Sequence, residues 1–139
     1  MAGKMLVETV EIVEAQEKDI PEILGFTDIF LRRDWMINKQ RLMSYVKNYR
    51  VLIARSASKI IALGICKKEP CTLYLLYVHP KHRSQKIGFK LLQKLKPEIV
   101  RARINQTTGN PVPYYEKLGY FVEVARDPKN RNICIMRKS

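Results

Sequence analysis

One stretch of the 139-residue chain concentrates residue types that could do chemistry: Leu75-Leu76-Tyr77-Val78-His79-Pro80-Lys81-His82-Arg83-Ser84-Gln85-Lys86-Ile87-Gly88-Phe89. An apolar run enters a basic loop, and the loop opens a helical pattern. The first N–H groups of a helix have no partner within it, and the helix dipole adds partial positive charge. An anion, typically a phosphate, is stabilised at such a point. Arg83 and Lys86 would add charge-assisted contacts. Gly88 stands where a side chain would block close approach or pack badly against a sheet. The same residues also read as an ordinary strand–loop–helix link with a solvated basic turn.

Other reactive side chains are sparse. Cys66, Cys71 and Cys134 are odd in number and lack CxxC spacing, which argues against a disulfide framework and against a zinc knuckle. No metal is expected, and the thiols are expected to be reduced, as in the cytoplasm. Trp35, the single tryptophan, follows Arg32-Arg33-Asp34. It could stack on a base or ring, or serve as a half-buried anchor.

Charge narrows the partners. Lys and Arg number 26 against 13 Asp and Glu, a formal net charge of +13. Residues 1–78 hold 12 basic and 9 acidic side chains, whereas residues 79–139 hold 14 and 4. A basic half beside a balanced half excludes an acidic activation domain and predicts a localised face for an anionic partner. No apolar run approaches the ~18 residues of a spanning helix. The opening Met-Ala-Gly-Lys-Met lacks the apolar core of a secretion signal. A cytoplasmic protein without membrane contact is expected.

The elements that must position these residues follow from periodicity and punctuation. Residues 7–139 read as one domain, with Met1–Leu6 a flexible lead-in. Thr9–Val13 alternates as a strand. Asp19 is the expected N-cap of a first helix, with Glu22 as its capping-box partner. Asn38 is the expected cap of a second helix, which turns Leu42, Met43 and Val46 inward. Val51–Ala54 and Lys59–Cys66 are short strands around a Ser56-Ala57-Ser58 turn. Thr72–Val78 is apolar on both faces, as a central strand must be. A helix runs from about Lys86 to Lys96, with Ile87, Leu91 and Leu95 inward, and Pro97 stops it. Ile99–Ile104 is a strand, Asn110-Pro111 begins a last helix, and Gly119 ends it. Tyr120–Ala125 and Ile133–Met136 close the chain as strands.

Val78-His79-Pro80 followed by Arg83-Ser84-Gln85-Lys86-Ile87-Gly88 resembles the signature loop of the GCN5-related N-acetyltransferase (GNAT) superfamily. Tyr114-Tyr115-Glu116-Lys117-Leu118-Gly119-Tyr120 resembles that family's C-terminal hallmark, and the element order is also the family's. The resemblance implies an α/β fold of the α+β type. Its mixed, mostly antiparallel sheet would have about seven strands and about four flanking helices, splayed at the centre. It implies acetyl-coenzyme A as co-substrate. The main-chain amides of Arg83, Ser84, Gln85, Lys86, Ile87, Gly88 and Phe89 would bind its diphosphate. The backbones of Leu76 and Val78 would hold the pantetheine arm. Lys86 replaces the first glycine of the family loop. A lysine fits there if its backbone is helical and its side chain faces out, whereas a positive φ would weaken coenzyme binding.

The implied activity is N-acetylation by direct attack of an amine on the thioester. Tyr115 matches the tyrosine that serves the family as general acid toward the leaving thiolate, although it also reads as a core residue, and Tyr114 is expected to face the core. No carboxylate lies within Thr72–Val78. Glu69 and His79, flanking that strand, are candidates for the base, beside ordered water. Thr108 stands where relatives often carry an asparagine, so no asparagine is assigned a role. Coenzyme A carries only about four negative charges, fewer than the basic half can meet. A same-fold acyltransferase acting on a nucleic-acid base or aminoacyl-tRNA amine, and a non-catalytic nucleic-acid-binding relative, are the alternatives.

Overall fold

The computed structural model describes residues 9–30, 38–104 and 109–139. Seven strands form one sheet in the order β1-β2-β3-β4-β5-β7-β6. They are β1 (Val10–Glu14), β2 (Arg50–Ser56), β3 (Lys59–Lys67), β4 (Thr72–Val78), β5 (Ile99–Arg103), β6 (Tyr120–Val124) and β7 (Ile133–Lys138). All neighbours pair antiparallel except β4 and β5. The helices are α1 (Ile20–Phe30), α2 (Lys39–Asn48), α3 (Ile87–Leu95) and α4 (Val112–Lys117). The expected architecture and element order are borne out.

Each face of the sheet carries its own core. Ile20, Ile23 and Phe26 of α1 and Leu42 and Tyr45 of α2 pack on Ile53, Leu63 and Ile65. On the opposite face Ile87, Leu91 and Leu95 of α3 lie over Val100, Ala102 and Met136, together with Tyr115 and Tyr120. The i, i+4, i+8 stripe of α3 is buried as its spacing predicts, with Ile87 and Leu91 fully inaccessible.

Helix ends were legible in part. Asn38 Oδ1 accepts from Arg41 N at 2.8 Å, the expected cap of α2. Asn110 Oδ1 accepts from Val112 N at 3.0 Å. Gly119 follows α4 at φ +97°, where L side chains are strained. The capping box expected at Asp19 and Glu22 is corrected. Asp19 Oδ2 instead accepts from Gln16 N, closing a 3-10 turn over Glu17–Asp19 before α1. Arg55 explains the change, because it recruits both acids. Its guanidinium reaches Asp19 at 2.9 Å and Glu22 at 2.7 Å. The Glu22 hydrogen bond is the first cause of its raised pKa. Glu22 also accepts from Ile60 N, which fastens the start of α1 to β3. Arg32–Trp35, Thr107, Thr108 and the Met1–Leu6 lead-in lie outside the described residues.

Candidate active site

The site begins with a fault in the sheet. In the β3–β4 ladder Ile65 faces Leu75 but Cys66 faces Leu73, so Tyr74 is an extra residue on β4. A bulge bends the strand that carries it. Beyond it, β4 and β5 have no pairing left: their parallel contact comprises only Thr72↔Ile99 and Leu73↔Val100. The two strands then diverge toward their C-terminal ends.

Ladder phase fixes what faces the gap. His79 N donates to Ile61 O at 2.7 Å. Hydrogen-bonded pairs alternate in an antiparallel ladder, so Tyr77 and Leu75 direct their amides and carbonyls at β3. Leu76 and Val78 direct theirs the other way, into the opening. Arg83 agrees with this phase, because its Nε donates to Val78 O at 3.0 Å from the far side of β4. The Arg83 guanidinium also lies 5.5 Å from the centre of the Tyr77 ring. Its side chain is therefore folded back on β4.

The gap widens into a cleft of about 560 Å³ that runs along Leu73–Val78 to the start of α3. The expected basic loop is a 3-10 helix over Pro80–Gln85, and α3 starts at Ile87. The first intrahelical bond closes from Lys90 N to Lys86 O, which leaves the amides of Ile87, Gly88 and Phe89 outside the ladder. A Cβ on Gly88 would stand 3.2 Å from the Tyr114 hydroxyl and 3.6 Å from both Leu76 Cδ2 and Val78 Cγ2. A bare α-carbon is what brings the helix start against the open edge of β4.

Lys86 departs from the helical geometry a lysine would favour. Its φ of 58° and ψ of 28° are left-handed, the conformation for which glycine is suited. Because the fold itself holds the residue there, the cost falls on folding stability and not, as expected for a positive φ, on coenzyme binding. The reason is the reversal between the 3-10 turn and α3, which a single residue must make. The Lys86 side chain is exposed and borders the cleft without closing it.

Both tyrosines of α4 reach the cleft, in different ways. Tyr115 is 6% exposed and packs edge-on against Tyr120. Burial, the first cause, raises its phenol well above the ordinary value. Tyr114 was expected in the core but is 41% exposed, with its hydroxyl over Gly88. Successive residues of a helix point about 100° apart, so burying Tyr115 on the sheet turns Tyr114 outward.

The two base candidates stand elsewhere. Glu69 lies in the turn between β3 and β4, ahead of the N-terminal end of β4, and is not among the residues that line the cleft. His79 Nδ1 accepts from Lys81 N at 3.0 Å, and the residue caps the 3-10 turn. Burial, followed by the charges of His82, Lys81 and Arg83, lowers the His79 pKa. Among the described residues no carboxylate or imidazole lines the cleft, and no group of three or more His, Cys, Asp or Glu could hold a metal ion. No helix among them is long and apolar enough to cross a membrane.

Sequence reasoning missed Arg101 and Arg103, which also line the cleft. Their signal was two cations at alternate positions of an otherwise apolar strand, Ile99-Val100-Arg101-Ala102-Arg103.

The family model described as an acetyltransferase (GNAT) domain matches residues 26–137. A search of curated proteins finds no match. Among solved structures, the PaiA N-acetyltransferase of Thermoplasma acidophilum, in complex with coenzyme A, superposes with a TM-score of 0.69 at 19% identity, covering 94% of this chain and 99% of that one. The ribosomal-protein-S18-alanine N-acetyltransferase of Escherichia coli gives 0.67 at 17% identity, over 94% and 93%. An aminoglycoside 6'-acetyltransferase type Ii gives 0.73 at 13% identity, over 93% and 96%.

Proposed function

The chain belongs to the GNAT acetyltransferase family, and from that premise we propose that it moves an acetyl group from acetyl-coenzyme A to an amine by direct attack. The observation that carries the reading is the parting of β4 from β5 beside the open start of α3. A known co-substrate has the two features this arrangement suits: a diphosphate, and a carbonyl at the end of an extended arm. The PaiA structure similar to this one holds coenzyme A.

The residues fit the co-substrate. The amides of Ile87, Gly88 and Phe89 would receive the diphosphate, aided by the dipole of α3 and by the Lys86 ammonium. Arg83, Ser84 and Gln85, whose amides were expected to join them, lie in the preceding 3-10 helix, whose own i→i+3 bonds draw on amides of that stretch. Leu76 and Val78 would hold the arm through the backbone groups they direct into the cleft. When bound, acetyl-coenzyme A supplies an acyl thioester already activated toward amines. An N–H of β4 aimed at a carbonyl oxygen stabilises the charge that grows there during attack.

Tyr115 would give a hydrogen bond to the departing sulfur. Its phenol is raised by burial, whereas a thiol titrates near ~8.5. The proton is therefore shared with the sulfur rather than surrendered to it. With no carboxylate or imidazole on the described walls, the attacking amine arrives neutral or loses its proton to water.

The test is a thermal melt with and without acetyl-coenzyme A. At one hundred times Kd the ligand should add about 2.7 kcal/mol. An unchanged melting temperature at millimolar ligand would refute the assignment. Related folds act on substrates as unlike as a ribosomal-protein alanine and an aminoglycoside, so the acceptor has to be read from this chain's own residues.

A further inference from the structure

We propose that the acceptor is a small amine carrying an oxyanion, a carboxylate or a phosphate, and that Arg101 and Arg103 bind that group. The inference deepens the acetyltransferase reading and rests on it.

Strand alternation separates two walls of the cleft. Val100 and Ala102 point into the core beneath α3 and are 0% and 2% exposed. Arg101 and Arg103 therefore emerge on the opposite face of β5, the face covered by α1 and α2 elsewhere in the sheet. The Arg101 guanidinium lies 5.0 Å from the centre of the Tyr74 ring, which packs with the α1–α2 core. The bulge that parts β4 from β5 thus also sets a tyrosine beneath an arginine at the mouth of the gap.

The charge there is one-sided. The walls carry Arg83, Lys86, Arg101 and Arg103 and, among the described residues, no acid. Lys86 stands at the start of α3, on the side proposed for the diphosphate. Arg83 is turned onto Val78 O and Tyr77. That leaves the β5 pair, half-buried on the other face, outside the coenzyme's needs. Asp127, in the turn between β6 and β7, lies 3.8 Å from the Arg101 guanidinium. Such a pair is too long for a hydrogen bond and leaves guanidinium donors for a ligand. A planar guanidinium suits carboxylate and phosphate oxygens. A polyamine or aminoglycoside would meet like charge at the same place. The volume, about 560 Å³, lies in the small-molecule range.

The experiment uses the whole chain. Calorimetry with acetyl-coenzyme A comes first, and absence of binding would end the parent reading before any acceptor is added. Thiol release is then followed with acceptors paired to differ in one group: amino acids with their amides, and phosphoethanolamine with ethanolamine. Spermidine and tRNA complete the set. The anionic member of at least one pair should show a kcat/KM at least tenfold higher, and the winning pair distinguishes carboxylate from phosphate. Arg101→Gln and Arg103→Gln should erase that difference mainly through KM, while the heat of acetyl-coenzyme A binding stays unchanged. Arg101→Lys should restore part of it. Calorimetric binding of the N-acetylated product should be lost in the same variants. Preference for the neutral members, for spermidine or for tRNA would overturn the proposal. So would equal losses on both members of a pair, or failure of every anionic compound both to turn over and to bind the coenzyme-loaded protein.

Discussion

Replacing Lys86 by glycine should make the protein more stable, although it removes a side chain and a charge. Lys86 is held at φ 58°, ψ 28° between the 3-10 turn and α3. Holding an L residue in that region costs about 1–2 kcal/mol, which glycine avoids. Glycine in turn loses more backbone entropy on folding, which returns about 0.5–1 kcal/mol. The net gain should be about 0.5–1 kcal/mol. An unfolding entropy of ~2.1 cal/mol/K per residue converts this to a rise of about 2–3 °C for a chain of this length. Lys86→Ala is the control, since it deletes the same ammonium but keeps the Cβ. Differential scanning calorimetry of the three proteins should place Lys86→Gly above both others, with Lys86→Ala within about 1 °C of wild type. Equal melting temperatures for the glycine and alanine variants would refute the backbone argument. Both variants lose the cation at the start of α3, so both should bind acetyl-coenzyme A more weakly, by about 3–10-fold in Kd at low salt.

Three further outcomes follow from the same geometry. Tyr115→Phe should lower kcat by about 10–100-fold and leave the Kd for acetyl-coenzyme A unchanged, whereas Tyr114→Phe should change kcat by less than about threefold; stopped-flow and calorimetry together separate the two. Gly88→Glu would set a Cβ 3.2 Å from the Tyr114 hydroxyl and a carboxylate at the proposed diphosphate site, so the thermal shift given by acetyl-coenzyme A should vanish. For pH, burial raises the Tyr115 phenol, so its proton is retained from pH 6 to 10 and removes no activity at the alkaline end. The neutral fraction of an amine with pKa near ~10 rises tenfold per pH unit, so log kcat/KM should climb with slope one to about pH 9.5. A plateau beginning near pH 6–7 would instead reveal an enzyme base.

Where local pattern and tertiary structure agree, the chain was readable. Thr72–Val78 is apolar on both faces and is the central strand β4, with the predicted limits. Asn38 and Gly119 sit at helix ends for reasons contained in a few neighbouring residues. The Asp19 reading failed because Arg55, 36 residues away, competes for the same carboxylate. Tyr114 was misplaced because α4 is too short for periodicity to fix its inward face. The bulge at Tyr74 had no local signature, because it arises from the register of β3 against β4. Arg101 and Arg103 became informative only once β5 was known to border a gap rather than a neighbouring strand.

The amide-resolved measurement is a 15N-edited NMR titration of the whole chain with acetyl-coenzyme A. The account predicts that the largest shifts fall on the amides of Leu76, Val78 and Gln85 through Phe89, with the edge strands β1 and β6 unmoved. Saturable shifts centred on any other part of the sheet, with those amides silent, would contradict it.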